Sequence, residues 1–331
     1  MKKAIIFCNL HANGDIIWSR QGVRWVVDQL GDKFVYFYVH TKHKDICFIH
    51  EKVNVITIPQ NFHGFPMKRV KDQFNLDMFE DALWVDVWAA SFEKMQRVDC
   101  GEDGVRFKLP DEFGNYHADC EEIQDSPTWQ QKLYSEKIGS INEFLATNFS
   151  TKRLEVPDSK EFICKWNSNP KHKFFADIFL KRTKKFDLRV MICNGNTTSS
   201  QRRNFIYEDI LRDYILNNPN ICFYLTSKIN EIEADNVFYM DDNFPIPNMD
   251  EIEYIMKSCD IIVTSQSGPG CLVFADEIVF DENRTLINFC VDRVDWYFDG
   301  GTCEYIRTSN FEDENVYNLI TQNIEKKLSK K

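Results

Sequence analysis

Short apolar runs rich in β-formers recur along this chain, and patterns of helical period stand between them. A strand buried on both faces reads as a continuous apolar run. Two such strands lie parallel only if a crossover, usually a helix, carries the chain back. The alternation therefore implies mostly parallel sheets covered by helices on both faces. Lys3 to Leu10 is the first run; His11-Ala12-Asn13-Gly14-Asp15 turns the chain, and Ile16, Val23, Val26, Val27 and Leu30 mark a helix closed by Gly31. Phe34 to Val39 and Val53 to Ile58, stopped by Pro59, read as the next two strands.

The middle of the chain is less periodic. Phe74 to Ala90 fits helix and strand equally, and Asp99 to Asp125, rich in Gly, Asp and Glu, reads as loop. Pro127 opens a helical pattern over Thr128 to Phe149, and Lys152 to Pro157 reads as a hinge. The alternation then resumes with a helix at Lys173 to Lys184, a strand at Leu188 to Cys193 and a helix at Phe205 to Leu216. Strands follow at Ile221 to Thr226 and Val237 to Met240, then a helix at Asp250 to Ser258, strands at Asp260 to Thr264 and Thr285 to Phe289, and a final helix at Glu312 to Lys327. At 331 residues the chain is longer than one core usually serves. The reading is two domains, residues 1–155 and 156–331.

Net charge excludes one class of partner. At −11 the chain lacks the broad basic face that holds a nucleic-acid backbone, although a local Arg pair suffices for a small diphosphate. The eleven cysteines are odd in number and form no CxxC pair, which fits reduced thiols better than disulfides or zinc. No signal-peptide pattern opens the sequence and no run of about 18 apolar residues follows, so a cytoplasmic chain is expected. The basic tail Glu325 to Lys331 offers a peripheral contact for anionic lipid, against the commoner reading of a solvated helix end.

In open α/β sheets ligands bind beyond the carboxyl ends of the strands, so the loops that follow strands carry the candidate chemistry. In the first, Gly14 permits a tight turn, and Asp15 or His11 is placed to take a proton from a hydroxyl; the plainer reading makes Asp15 a helix cap and His11 a turn residue. Ser19 and Arg20 follow one turn on. The second loop runs Asn194, Gly195, Asn196 through Gln201, Arg202 and Arg203. Helix N-terminal amides and two guanidinium groups there suit a diphosphate, while Asn, Ser and Thr are also ordinary turn formers. The third is Ser265-Gln266-Ser267-Gly268-Pro269-Gly270, whose glycines let the backbone approach a ligand and whose serines add donors. Glu251 lies near a helix start, where dipole electrostatics and a ribose contact are both open readings. The GxGxxG and GxxxxGK[ST] fingerprints and the GxSxG elbow are absent, which counts against a nicotinamide dehydrogenase, a P-loop kinase and a serine hydrolase. Asp241-Asp242 and Asp292 to Asp295 read as solvated turns rather than a metal site, and Trp84, Trp88 and Trp129 as core more often than sugar platforms.

Asn9 to Arg20 (NLHANGDIIWSR) and Cys259 to Gly270 (CDIIVTSQSGPG) resemble segments of the GT-B glycosyltransferases, in particular the heptosyltransferase-like group of family 9, and ICNGNTTSSQRR is similar to the diphosphate-receiving loop of the same fold. The resemblance implies two Rossmann-like domains in a GT-B arrangement with a cleft between them. It implies a nucleotide-sugar donor bound by the second domain and a glycan acceptor by the first, with Asp15 as candidate base and no cofactor or metal. Cys271 and Leu272 depart from the histidine frequent after the Gly-Pro pair of the family. A nucleotide-sugar epimerase of the same layout and a non-catalytic binding protein are the alternatives.

Overall fold

The structure is a computed structural model that describes residues 3–10, 13–42, 47–62, 82–87, 96–99, 105–108, 141–142, 154–155, 170–195, 205–240, 249–265, 268–274, 276–289 and 301–331. The chain divides into two compact units. One comprises Met1–Asp45 and Ile49–Cys164, the other Ile46–Phe48 and Lys165–Lys331.

The first unit is built on a four-stranded parallel sheet in the order β3-β2-β1-β4, with β1 Ala4–Cys8, β2 Val35–His40, β3 Val53–Thr57 and β4 Leu83–Asp86. All five residues of β1 are buried, as its unbroken apolar run requires. Helix α1, Asn13–Leu30, crosses from β1 to β2 and buries Ile16, Val23, Val26, Val27 and Leu30, the residues whose spacing marks it in the sequence. Gly31 ends it at φ +58, a left-handed conformation that costs glycine nothing. The segment from Phe74 to Ala90 contains a strand, β4, over Leu83–Asp86. Asp99 to Asp125, expected to be loop, contributes β6, Val105–Lys108, which pairs antiparallel with β5, Gln96–Asp99. Alternating Val105 and Phe107 against Arg106 and Lys108 is a strand pattern too short to stand out among acidic and glycine residues. The helix expected over Thr128 to Phe149 lies outside the described residues except for 141–142, which are helical, and the Lys152 to Pro157 hinge lies outside them except for 154–155.

The second unit holds a six-stranded parallel sheet in the order β12-β11-β10-β7-β8-β9. The strands are β7 Leu188–Ile192, β8 Ile221–Leu225, β9 Val237–Tyr239, β10 Ile261–Ser265, β11 Thr285–Phe289 and β12 Glu304–Thr308. Helices α2 (Pro170–Arg182), α3 (Tyr207–Asn217), α4 (Met249–Met256), the short α5 (Asp276–Val279) and α6 (Asp313–Leu328) complete the alternation. Strands β8, β10 and β11 are buried throughout, and Val316, Ile320 and Ile324 of α6 pack with them in one core. Strand β12 was not expected: it sits at the sheet edge with Glu304 and Arg307 among its five residues, so its apolar signal is weak. Cys222 and Cys259 are free buried thiols; burial pushes Cys222 up to about 12 and Cys259 well above its ordinary value. Among the described residues no helix is long and apolar enough to cross a membrane.

Gly31 generates a first test. Because its φ is positive and a Cβ there meets nothing within 4 Å, the cost of a side chain is conformational alone. Gly31→Ala is expected to lower stability by roughly 1–2 kcal/mol, and Gly31→Asn by less, in urea unfolding. Equal losses for the two would contradict this account.

Candidate functional site

The strand order of the second sheet places the candidate loops. From β7 the chain builds outward to β8 and β9, then returns to β7's other side for β10, β11 and β12. The order reverses between β7 and β10, which pair directly, and a reversal of this kind opens a crevice at the carboxyl edge. Asn194 and Gly195 leave β7 on one side of that point; Ser265 and Gly268-Pro269-Gly270 leave β10 on the other. Because β7 and β10 are parallel neighbours, their two exits stand on one sheet edge. Asn196, Gln201, Arg202, Arg203 and Ser267 lie outside the described residues, as do Asp241-Asp242 and Asp292 to Asp295.

Asn194 is 2% exposed and its amide is fully used. Its Nδ2 donates to the Ser227 carbonyl at 2.6 Å and to Glu208 Oε1 at 3.0 Å. Its Oδ1 accepts from the Ser227 amide at 2.8 Å and the Thr226 hydroxyl at 3.3 Å. Two donors and two acceptor positions are what an asparagine side chain has, so this side chain fixes the loop, and the chain after it is what remains for a ligand. Glu208 escaped the sequence reading. It stands in the first turn of α3, where an acidic residue is ordinarily taken for helix electrostatics, yet it is 0% exposed. Its Oε1 also accepts from the amides of Ile229 and Asn230, at 3.0 and 3.3 Å. The pair thus joins three segments: the exit of β7, the start of α3 and the exit of β8.

The glycines differ in role. A Cβ at Gly195 would come within 3.1 Å of the Ser227 hydroxyl, so this glycine lets the β7 exit lie against the β8 exit. A Cβ at Gly270 would stand 2.2 Å from the Ser265 carbonyl oxygen and 2.5 Å from Thr264 Oγ1. Gly270 thus serves the fold, because it lets the 3-10 turn Pro269–Phe274 double back onto the end of β10. Glu251, in the first turn of α4, is buried together with Asp250 and Glu253.

In the first unit the order reverses between β1 and β4, and the loop Asn9 to Asp15 leaves β1 there. His11 lies outside the described residues. Asp15 falls in the first turn of α1, where its backbone alone is described. Around the β1 exit lies a buried polar cluster. Ser19 Oγ donates to the Ile16 carbonyl at 3.0 Å, shares a 2.5 Å hydrogen bond with the Tyr38 hydroxyl and receives Asn9 Nδ2 at 3.4 Å. Arg20 is buried beside it in sequence, and His40, also buried, accepts the Lys42 amide at Nδ1. Ser19 and Arg20 are legible in the sequence as helix residues near the loop. Tyr38 and His40 are missed because they sit within an apolar strand.

Comparison with known proteins matches this geometry at the level of fold. The chain aligns with the Escherichia coli heptosyltransferase WaaC, solved with ADP, over 98% of its own length and 99% of that chain, with a TM-score of 0.50 and 11% sequence identity. The fold is that of the GT-B glycosyltransferases. A family 9 glycosyl transferase from Veillonella parvula aligns over 97% of this chain and 92% of that one, with a TM-score of 0.49 and 9% identity. No family model matches the sequence, and no curated protein matches it. The GT-B fold is therefore recognisable here from structure and from short motifs, at identities where full-length sequence comparison is silent.

The two glycines should separate in mutagenesis. Gly270→Ala sets a methyl group against backbone and is expected to cost about 1–3 kcal/mol or more. Gly195→Ala meets side-chain atoms, the rotatable Ser227 hydroxyl at 3.1 Å and Thr226 Oγ1 at 3.9 Å, and should cost less. Thermal unfolding of both variants checks this; a Gly195→Ala loss equal to the Gly270→Ala loss would show the assignment to be wrong.

Proposed function

We propose that this chain is a glycosyltransferase that moves a sugar from a nucleotide-sugar to a glycan acceptor, by a single inverting displacement and without a bound metal. The observation that carries the reading is a coincidence of position. Two loops with the chemistry of a phosphate site flank the strand-order reversal of the second sheet, and a loop with candidate bases leaves the strand at the reversal of the first. That happens on a fold shared with a heptosyltransferase solved with ADP.

In this reading the second unit holds the nucleotide. The amides after Gly195 and the Ser267-Gly268 backbone face the diphosphate, and Arg202 and Arg203 neutralise it as the bond to the anomeric carbon breaks. Asn196, Gln201, Ser265 and Ser267 supply hydroxyl and amide contacts, with Glu251 the candidate for the ribose. Asp15, or His11 from the same turn, takes the proton of the attacking acceptor hydroxyl. One displacement inverts the anomeric centre. The sequence has no Asp-x-Asp in a loop after a buried strand to hold a metal against the diphosphate.

Two measurements test it. Saturation with the cognate nucleoside diphosphate, among ADP, UDP, GDP and TDP with CMP as a further probe, should stabilise the protein by roughly 2.7 kcal/mol at a hundredfold excess over Kd. That corresponds to a rise in Tm of about 5–10 °C. Arg202→Ala should abolish the rise, and silence towards every nucleotide at millimolar concentration would overturn the reading. With labelled nucleotide-sugar and acceptor, Asp15→Asn should lower kcat by about 10²–10⁴-fold while leaving the nucleotide-induced rise intact; turnover without acceptor would point to an epimerase instead.

A further inference from the structure

Helix α2 carries apolar side chains on two faces. Ala176 and Phe179 are buried, with the Phe179 ring 5.5 Å from Tyr224 and 5.6 Å from Phe238, and this face anchors the helix to the sheet. On another face Phe174, Phe175 and Ile178 are 60%, 45% and 44% exposed. Their spacing of one and four residues puts them on one stripe of the helix, and Lys181 and Arg182, also exposed, extend that stripe by a turn. Single exposed apolar residues are ordinary, but three large ones side by side are not.

The charge around this face runs against the rest of the molecule. Between Lys173 and Lys185 there are five cations, Lys173, Lys181, Arg182, Lys184 and Lys185, and one carboxylate, in a chain whose net charge is −11. The carboxylate, Asp177, accepts a 2.6 Å hydrogen bond from the Tyr254 hydroxyl. Among the described residues none of these five cations makes a salt bridge. The C-terminal lysines behave differently. Lys326 pairs with Glu304, Lys327 donates to the Asn283 carbonyl, and Lys331 reaches the Asp187 carbonyl at 2.6 Å and Asp260 Oδ1 at 3.0 Å.

We propose that the Phe174-Phe175-Ile178 face of α2 docks on an anionic lipid surface, and that the C-terminal tail does not. Phenyl rings set beside flexible cations match a bilayer interface, where the rings enter the acyl boundary while the ammonium and guanidinium groups stay at the phosphates. A second copy of the chain is a poorer occupant. A two-fold contact would lay this face on itself and bring like charges together.

Vesicle co-sedimentation of the full chain tests the proposal. At about 0.1 M salt, where charges are screened beyond ~10 Å, the protein should pellet with phosphatidylcholine vesicles containing phosphatidylglycerol and stay in solution with phosphatidylcholine alone. Each cation near the surface contributes roughly a fivefold factor in binding, so Lys181→Glu/Lys184→Glu should lower vesicle affinity by at least about tenfold. Phe174→Ser/Phe175→Ser, at exposed positions, should do the same without lowering Tm, and Lys326→Ala/Lys327→Ala/Lys330→Ala should leave vesicle binding in place. Failure to bind anionic vesicles overturns the proposal, as does binding that survives the Phe substitutions or is lost with the tail lysines. A dimer in light scattering that the Phe substitutions dissolve, with no vesicle binding, assigns the face to self-association and overturns it equally.

Discussion

Burial of β7 on both faces and along both edges is the constraint on which the second unit rests. Leu188, Val190, Met191 and Ile192 exclude solvent, and the strand is hydrogen-bonded to β8 on one side and β10 on the other. A strand so enclosed leaves the chain two ways to grow, outward on each side, and parallel pairing requires a crossover at every step. The reversal of strand order beside β7 follows. So does the convergence of the β7 and β10 exits at one edge.

Both units solve the same problem at that edge in the same way. A central strand ends in Cys-Asn in each, Cys8-Asn9 and Cys193-Asn194, and all four residues are buried. Leaving a buried amide unsatisfied costs about 1–3 kcal/mol, and in each unit the asparagine turns to a polar side chain on the helix that follows: Ser19 for Asn9, Glu208 for Asn194. The tripeptides Phe-Cys-Asn and Ile-Cys-Asn are thus the sequence trace of one architectural element used twice.

Most of the sheet framework was legible because buried parallel strands carry an apolar signal that no neighbour modifies. Ile221–Leu225, Ile261–Ser265 and Thr285–Phe289 fall within a residue of the runs that announce them. What escaped was structure defined by partners rather than composition. Strand β12 is an edge strand whose charged residues mask its period, and β6 is a few residues among acidic neighbours. Of the candidate site, the position of its loops after strands was legible, because parallel strands put their exits on one edge whatever the loop sequence. The division of labour within them was not. Gly270 reads as a ligand-facing glycine until the Ser265 carbonyl is seen beside it, and Glu208 reads as a surface carboxylate until Asn194, Ile229 and Asn230 are seen around it.

The Asn194–Glu208 pair also sets how the edge can move. Because one carboxylate oxygen receives donors from the β7 exit and from residues 229–230 after β8, the two exits are mechanically one part. Neither can open without breaking hydrogen bonds to a buried carboxyl group, so the two exits are coupled through Glu208 instead of fraying as separate surface loops do. The residues tied in this way are held together by the fold itself, so their ordering has already taken place during folding and is not subtracted from the affinity of anything they meet.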